Sequence, residues 1–332
     1  MSKSVREKLI QALAAGQFVS GQDIADELSV SRAAVANQVK VLQEMGLDIF
    51  RVRGKGYQLA TPLVLLDKTS ICHALEALSV TNHVEVHTLI DSTNDYLLRK
   101  LPNQVEPGQV CIAEYQSQGR GRRGRQWISP FGSHLYLSYY HYLADGMSSA
   151  MGLSLLTALA ISDAIKALYE VQVQLKWPND VYLDGVKLAG ILIDLEGQAT
   201  GACHSVIGIG LNLCMPEQAG HEISQPWTDL QRHLSHSSEI QIDRNQLAVA
   251  IIIALNRRLA QQERLGTESM LSDWFEQDLF LNQNVKIMTG DNVQHGMCRG
   301  VNAQGALLFE QHGQVKPVYG GEVSLRADDV DN

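Results

Sequence analysis

Lys176-Trp177-Pro178-Asn179-Asp180 and Lys187-Leu188-Ala189-Gly190 flank an Asp184-Gly185 pair, so two cations, an amide and a carboxylate lie close together in the chain. Asp-Gly between apolar runs is a two-residue hairpin signal. In that register Lys187 sits opposite Tyr182, and Asp180 projects from the same face. Lys187 is then placed to contact carboxylate and phosphate oxygens at a reacting centre, and Asp180 or Asn179 to help hold magnesium. Taken alone, the segment also reads as an exposed hairpin with a solvated lysine.

A second cationic element lies upstream. Gly119-Arg120-Gly121-Arg122-Arg123-Gly124 formally matches the dinucleotide fingerprint G-x-G-x-x-G and comes after a strand-like segment. The match fails on its C-terminal side, because Arg125-Gln126-Trp127-Ile128-Ser129-Pro130 is not the start of an apolar helix whose dipole faces pyrophosphate. Four arginines between 120 and 125, spaced by glycine, instead make a flexible loop suited to gripping a triphosphate or an acyl-phosphate. No G-x-x-x-x-G-K-[ST] occurs, so ATP would not be held in a P-loop, which directs attention to the α-phosphate. By itself the loop also reads as a basic surface for a partner or nucleic acid.

Strands and helices must hold these groups. From about 63 to 275 they are mixed: strand-like Val84 to Ile90, a capped helix from Asp91-Ser92, strand-like Val110 to Tyr115 and His134 to Tyr142. A long helix runs from Ser149 to Tyr169, then strands through Leu175 to Leu195 and Ser205 to Leu213, and a helix from Arg244 to about Glu263. This is an α+β layout with neighbouring strands able to pair as hairpins. The tail carries turn signals at Gly290-Asp291-Asn292, Gln304-Gly305 and His312-Gly313 between short apolar runs, the spacing of a small β-barrel.

The first 62 residues read differently. Val5, Leu9, Ile10 and Leu13 form one helical stripe ended by Gly16; Ser20 and Ser31 open two further helices separated by Ser29 and Val30. A hairpin through Ile49 to Leu59 turns at Gly54-Lys55-Gly56, and Thr61-Pro62 closes the unit. Helix-turn-helix recognition needs small or polar groups on the outward face of the second helix. Ser31, Arg32, Ala33, Ala36, Asn37 and Lys40 provide that face: alanine for a thymine methyl, asparagine for adenine, cations for phosphates. Arg51, Arg53 and Lys55 would serve as a wing. The bland alternative is a helical docking domain diluted by Asp23, Asp26 and Glu27.

The chain's 332 residues suffice for two or three domains, and its formal charge of -9 confines any nucleic-acid contact to a local basic surface. Five scattered cysteines without a C-x-x-C pair suit reduced thiols, and no run of 18 apolar residues or signal peptide is evident; a cytoplasmic protein without membrane association is expected.

Asp91-Ser92-Thr93-Asn94, Glu114-Tyr115-Gln116, Gly119 through Gly124, Lys176 through Asp180, Lys187 through Gly190 and Gly208-Ile209-Gly210-Leu211-Asn212 together resemble the biotin protein ligases, in particular those that double as biotin operon repressors. The winged helix and the tail Gly320-Gly321-Glu322-Val323-Ser324-Leu325-Arg326 extend the resemblance over nearly the whole chain. It implies a winged helix-turn-helix in 1–62, a mixed α/β catalytic domain related to class II synthetases in 63–275, and an SH3-like β-barrel in 276–332. It implies that biotin and Mg-ATP give biotinyl-5′-adenylate, from which biotin passes to a lysine of a biotin carboxyl carrier protein, with no prosthetic group. Ser92, Thr93, Asn94, Gln116, Gly119, Arg120, Gly121, Arg122, Lys187 and Gly190 would bind biotin, and Arg122, Arg123, Trp127, Lys176, Asn179 and Asn212 would bind ATP. Lys187, Arg122 and Arg120 would act at the reacting centre, with Asp180 on magnesium. The adenylate-bound chain would form a homodimer that represses at operator DNA. Two alternatives share these features: a lipoate-type protein ligase, and a ligand-sensing repressor without turnover.

Overall fold

Ser20 and Ser31 start two helices as expected, because each side-chain oxygen accepts a backbone N–H that the first turn leaves unpaired. The computed structural model describes residues 2–144, 146, 150, 152–197, 202–235, 240–320 and 323–328. Helix α1 (Ser2–Ala14) buries Val5, Leu9, Ile10 and Leu13. Ser20 caps α2 (Gly21–Glu27) through Asp23 N, and Ser31 caps α3 (Arg32–Glu44) through Ala34 N. Val35, Val39 and Leu42 of α3 point inward. Strands β1 (Ile49–Val52) and β2 (Gly56–Leu59) form the hairpin, with Ile49 opposite Leu59. Gly56 has φ +110°, and a Cβ there would lie 2.1 Å from the Val19 carbonyl oxygen, so no other residue fits where Val19 bridges Tyr57. Phe131, from far along the chain, completes this core, and its N–H donates to Met45 O at 2.9 Å.

The central unit is a seven-stranded mixed sheet in the order β3-β4-β5-β9-β8-β7-β6. It comprises α4 (Lys68–Ala77), β3 (Val84–His87), α5 (Thr93–Leu98), β4 (Val110–Ala113), β5 (His134–Leu143) and α6 (Leu153–Tyr169). After these come β6 (Gln174–Lys176), β7 (Asp180–Leu183), β8 (Val186–Gly197) and β9 (Cys203–Asn212). Short helices α7 (Glu217–Gly220) and α8 (Leu230–Ser235) precede the long α9 (Arg244–Leu265) and α10 (Leu271–Phe275). Only β3 and β4 pair in parallel among the described strands. Side chains alternate across the sheet. Val110, Ile112, Leu135, Leu137, Ile207 and Ile209 join α4, α6 and α9 in the main core, whereas Cys111, Tyr140 and Val206 meet Leu97 of α5 on the opposite face.

Several boundaries shift from expectation: β4 ends at Ala113 rather than Tyr115, and β9 runs Cys203–Asn212 rather than Ser205 to Leu213. The first strand stops at His87, and Ile90 makes only an isolated bridge to Gln116 before Asp91-Ser92 turns into α5. The long helix starts at Leu153 after Gly152 (φ +87°); Ser149 lies outside the described residues.

The tail folds into β10 (Asn284–Thr289), β11 (Asn292–Val301), β12 (Leu307–Gln311), β13 (Gln314–Val318) and β14 (Val323–Ala327), all antiparallel in the order β13-β12-β11-β10-β14. The register breaks between Cys298 and Val301, a bulge of the kind that bends a strand towards a barrel, while β13 and β14 remain the edges among the described residues. Val285, Ile287, Leu307 and Leu325 share one continuous core with the central sheet. Trp177 Nε1 donates to Gly305 O at 3.0 Å, fastening the tail to the lysine-bearing segment. No described helix is long and apolar enough to cross a membrane.

Candidate active site and DNA-facing helix

The hairpin register holds as the turn chemistry requires. Asp184 (φ +52°) and Gly185 (φ +75°) both adopt positive φ, the signature of a type I′ turn, and Tyr182 pairs with Lys187. Asp180 pairs with Gly190 across a local register shift, which brings Lys187 Nζ within 2.7 Å of Asp180 Oδ1. Among the described residues that buried oxygen accepts no hydrogen bond of acceptable geometry, so its contact with Lys187 is ionic. Lys176 Nζ donates to Tyr182 Oη at 2.8 Å and lies over the rings of Tyr182 and Phe280. Burial pushes the Lys176 ammonium down, opposed by the charge of Asp180, and pushes the Tyr182 hydroxyl up to about 12.

Strands β8 and β9 form the floor of a pocket, with Gly190 opposite Gly210. The Trp127 indole lies on this floor: a Cβ on Gly210 would come within 2.4 Å of the ring, and one on Gly190 within 2.9 Å. Among the described residues its buried Nε1 has no hydrogen-bond partner, and Lys187 Nζ is 5.6 Å from the ring centroid. The start of α5 forms one wall. Ser92 caps the helix, and the backbone N–H and hydroxyl of Thr93 both donate to Gln116 Oε1, at 2.9 and 3.1 Å. Asn94 Oδ1 accepts from Ser138 while its Nδ2 donates to Asp194 Oδ2 at 2.9 Å.

The glycine-arginine loop lines the pocket as a small hairpin, closed by Gly121 N to Arg125 O and Trp127 N to Gly119 O. Arg122 Nη1 donates to Asn179 Oδ1 at 2.7 Å. Burial pushes the Arg122 guanidinium down, with Asp180 opposing; at its intrinsic basicity it stays protonated near neutrality.

The structure brings Ser92, Thr93, Asn94, Gln116, Arg120, Gly121, Arg122, Arg123, Trp127, Lys176, Asn179, Asp180, Lys187 and Gly190 to this one pocket. Gly119 and Asn212 do not line it. Gly119 opens the loop at a close approach, where a Cβ would meet Trp127 O at 2.6 Å, and Asn212 is buried and donates to Thr228 O. Sequence reasoning missed Asp194, which bonds Asn94 and Arg120 at the pocket wall, and the lining by Val323–Leu325 of β14. No local signal marked Asp194, which reaches the pocket wall only through its contacts with Asn94 and Arg120.

On the N-terminal unit Arg32, Ala33, Asn37 and Lys40 are exposed and Ala36 is partly so; the Ser31 hydroxyl is engaged as the cap. Arg51, Arg53 and Lys55 are exposed on the hairpin, Arg51 over the Tyr57 ring and Lys55 over Phe18.

The fold and pocket define a protein-ligase architecture joined to a helix-turn-helix. Residues 86–212 match the biotin/lipoate A/B protein ligase family, residues 5–58 an HTH domain, and residues 280–326 the biotin protein ligase C-terminal domain. The chain is 43% identical to the bifunctional ligase/repressor BirA of Escherichia coli over 96% of its own length and 97% of the relative's. It is 32% identical to the biotin--[acetyl-CoA-carboxylase] ligase of Mycobacterium tuberculosis, covering 70% of this chain and 85% of that one. The solved biotin protein ligase of Aquifex aeolicus in complex with biotin and ATP superimposes with a TM-score of 0.62 at 26% identity, covering 74% of this chain and 99% of that one. The chain therefore belongs to the family of bifunctional biotin ligase/repressors.

Proposed function

We propose that this chain activates biotin with ATP, transfers it to a lysine of a biotin carboxyl carrier protein, and represses transcription at operator DNA when its adenylate-bound form dimerises. The observation that carries the reading is the convergence of Lys187, Asp180, Asn179 and Arg122 over the glycine floor, beside an arginine loop.

In the first step a biotin carboxylate oxygen attacks the α-phosphorus and the bond to pyrophosphate breaks. In the second, an acceptor amine attacks the acyl carbon, the acyl–phosphate bond breaks with release of AMP, and the amine loses its proton. Both transition states gather negative charge, which fixed cations stabilise without reorganising solvent. Lys187, held by Asp180 until substrate enters, meets the carboxyl and α-phosphate oxygens; Arg122 closes above them. Ser92, Thr93, Asn94, Gln116, Gly121 and Gly190 shape the biotin side, with Arg120 at its rim and Gly119 supporting the loop. Arg123, Trp127, Lys176 and Asn179 face the nucleotide, and Asn212 supports that side from behind the pocket.

Asp180 and Asn179 offer hard oxygens, and the Asp180 oxygen lacking an aligned donor fits a magnesium ion that keeps water and phosphate ligands. Held there by Asp180 and Asn179, the ion would supply neutralisation of phosphate charge. The domain limits fall near 62 and 275, and free thiols accord with a cytoplasmic setting. Ser31, Arg32, Ala33, Ala36, Asn37 and Lys40 meet the operator, with Arg51, Arg53 and Lys55 on its backbone.

Given labelled biotin, Mg-ATP and carrier protein, the wild-type chain labels the carrier, and Lys187→Ala slows labelling by about 100-fold or more. Unaltered labelling by Lys187→Ala would remove Lys187 from the reacting centre; an inert wild type would remove the whole reading.

A further inference from the structure

Phe18 and Phe50 are the large apolar side chains that the N-terminal unit leaves open to water among its described residues, at 38% and 41% exposure. The sheet explains where they point. Val19 and Tyr57 exchange both backbone hydrogen bonds, at 2.8 and 2.9 Å, which sets the Val19 segment beside β2 as a third, short partner. Val19 and Tyr57 turn towards the helical core, so their chain neighbours Phe18 and Gln58 face the other way, and Phe50 of β1 pairs with Gln58. Phe18, Gln58 and Phe50 therefore form a row on the face turned from the core. The two rings meet edge to face, with centroids 5.9 Å apart and planes at 89°. Gln58 Nε2 donates to Gly16 O, and Lys55 Nζ lies 5.4 Å from the Phe18 centroid. One cation and two rings thus make a stack along the hairpin that stands partly open to water.

The charge around this stack points to its partner. From Ile49 to Leu59 the chain has Arg51, Arg53 and Lys55 and no carboxylate, within a molecule of formal charge -9. A second copy packed on this face would set cations against cations, which like-charge repulsion opposes. Duplex DNA fits both halves of the surface: its phosphates attract the cations, and the deoxyribose between them offers C–H groups to the rings. Helix α3 of the same unit presents an exposed helix-turn-helix face, which favours DNA over an acidic protein.

We propose that Phe18 and Phe50 are DNA-contacting residues, the pair lying against deoxyribose at the edge of the groove that the hairpin enters, with Lys55 on the adjoining phosphate. This deepens the operator reading and rests on it. Apolar contact with a sugar is indifferent to base identity, so the pair contributes affinity rather than sequence choice. It releases no counterion, so it adds nothing to the salt dependence that the cations create. Lys55, resting on the Phe18 ring, has fewer rotamers to lose when it meets a phosphate.

The probe is a genomic duplex that the full wild-type chain, given biotin and Mg-ATP, retains over bulk DNA. Phe18→Ala and Phe50→Ala should each weaken retention about tenfold, with the thermal midpoint little changed. The slope of log affinity against log salt should stay at its wild-type value in both. Phe50→Leu, which keeps apolar area, should recover most of the loss. Hydroxyl-radical cleavage, which reads the exposure of deoxyribose, should rise in Phe50→Ala at sugars that the wild type protects. A slope lowered by about one in both variants would mean that the rings only steady Lys55, and would overturn the contact. Wild-type affinity in the double variant would overturn it as well; slower carrier labelling by that variant would then assign the face to the carrier protein. A wild type that retains no duplex above bulk DNA would sink the operator reading, and this proposal with it.

Discussion

His134 shows how one residue's surroundings become a measurable property. It is fully buried at the start of β5; its Nδ1 accepts from Leu213 N at 3.0 Å, and its Nε2 faces Met215 Sδ at 3.3 Å. Desolvation lowers its pKa from 6.5 to about 3, so the folded chain holds it neutral where the unfolded chain binds a proton. The unfolded state then carries the extra proton between about 6.5 and 3, and stability falls as pH falls through that window. Urea unfolding from pH 7 to 5 should show this decline above the range where carboxylates titrate, with a remaining slope from His141, which burial also pushes down. His134→Gln should reduce the slope by up to about one proton; an identical slope would place the titration elsewhere. The site itself was legible at this scale wherever one side chain sufficed. Lys187 and Asp180 met because a two-residue turn fixes register, whereas Asp194 became a pocket group only once β9, α5 and the loop had assembled around it.

At the scale of elements, α3 and the β1–β2 hairpin were readable because their signals are local: a serine cap, a period near four, and glycines at a turn. The order β4-β5-β9-β8 was not, since β5 and β9 are joined across more than fifty residues and any of several strands offers the same alternation. Helix α4 escaped notice for a related reason. Its cap at Asp67 is clear, but it buries only Ile71 and Leu75, too few positions for a strong stripe. The exposed basic residues of α3 and the hairpin carry a prediction of their own. Arg53→Ala should weaken operator binding nearly uniformly across sequences and reduce the log-affinity against log-salt slope by about one. Asn37→Ala should instead relax discrimination at a single base pair, at a cost of about 1–3 kcal/mol. An unchanged slope in filter binding would take Arg53 off the phosphate backbone.

At the scale of the molecule, the N-terminal unit is not merely tethered. Phe131 fills its core while belonging to the segment that runs from Trp127 past Ser129, and Ser129 Oγ accepts from Gln116 Nε2 at 3.1 Å. Leu66 N donates to Glu114, whose carboxylate forms a buried ion pair with Arg244, and Arg244 also donates to Val64 O. The linker, the pocket wall and the helical unit thus share contacts, a physical basis for one ligand to bias both ends if it binds their two arrangements unequally. None of this coupling was visible in the sequence, where Phe131 is one apolar residue after a proline.

Adenylation of biotin in the pocket is the step on which the proposed ligase and repressor roles both depend. Exchange of labelled pyrophosphate into ATP with magnesium measures that step alone, without carrier protein or DNA. Exchange should appear with biotin, be absent with lipoate, and fall by about 100-fold or more in Lys187→Ala. Exchange with lipoate in place of biotin would contradict the substrate assignment, and no exchange with either would contradict adenylation itself and leave a ligand-sensing repressor.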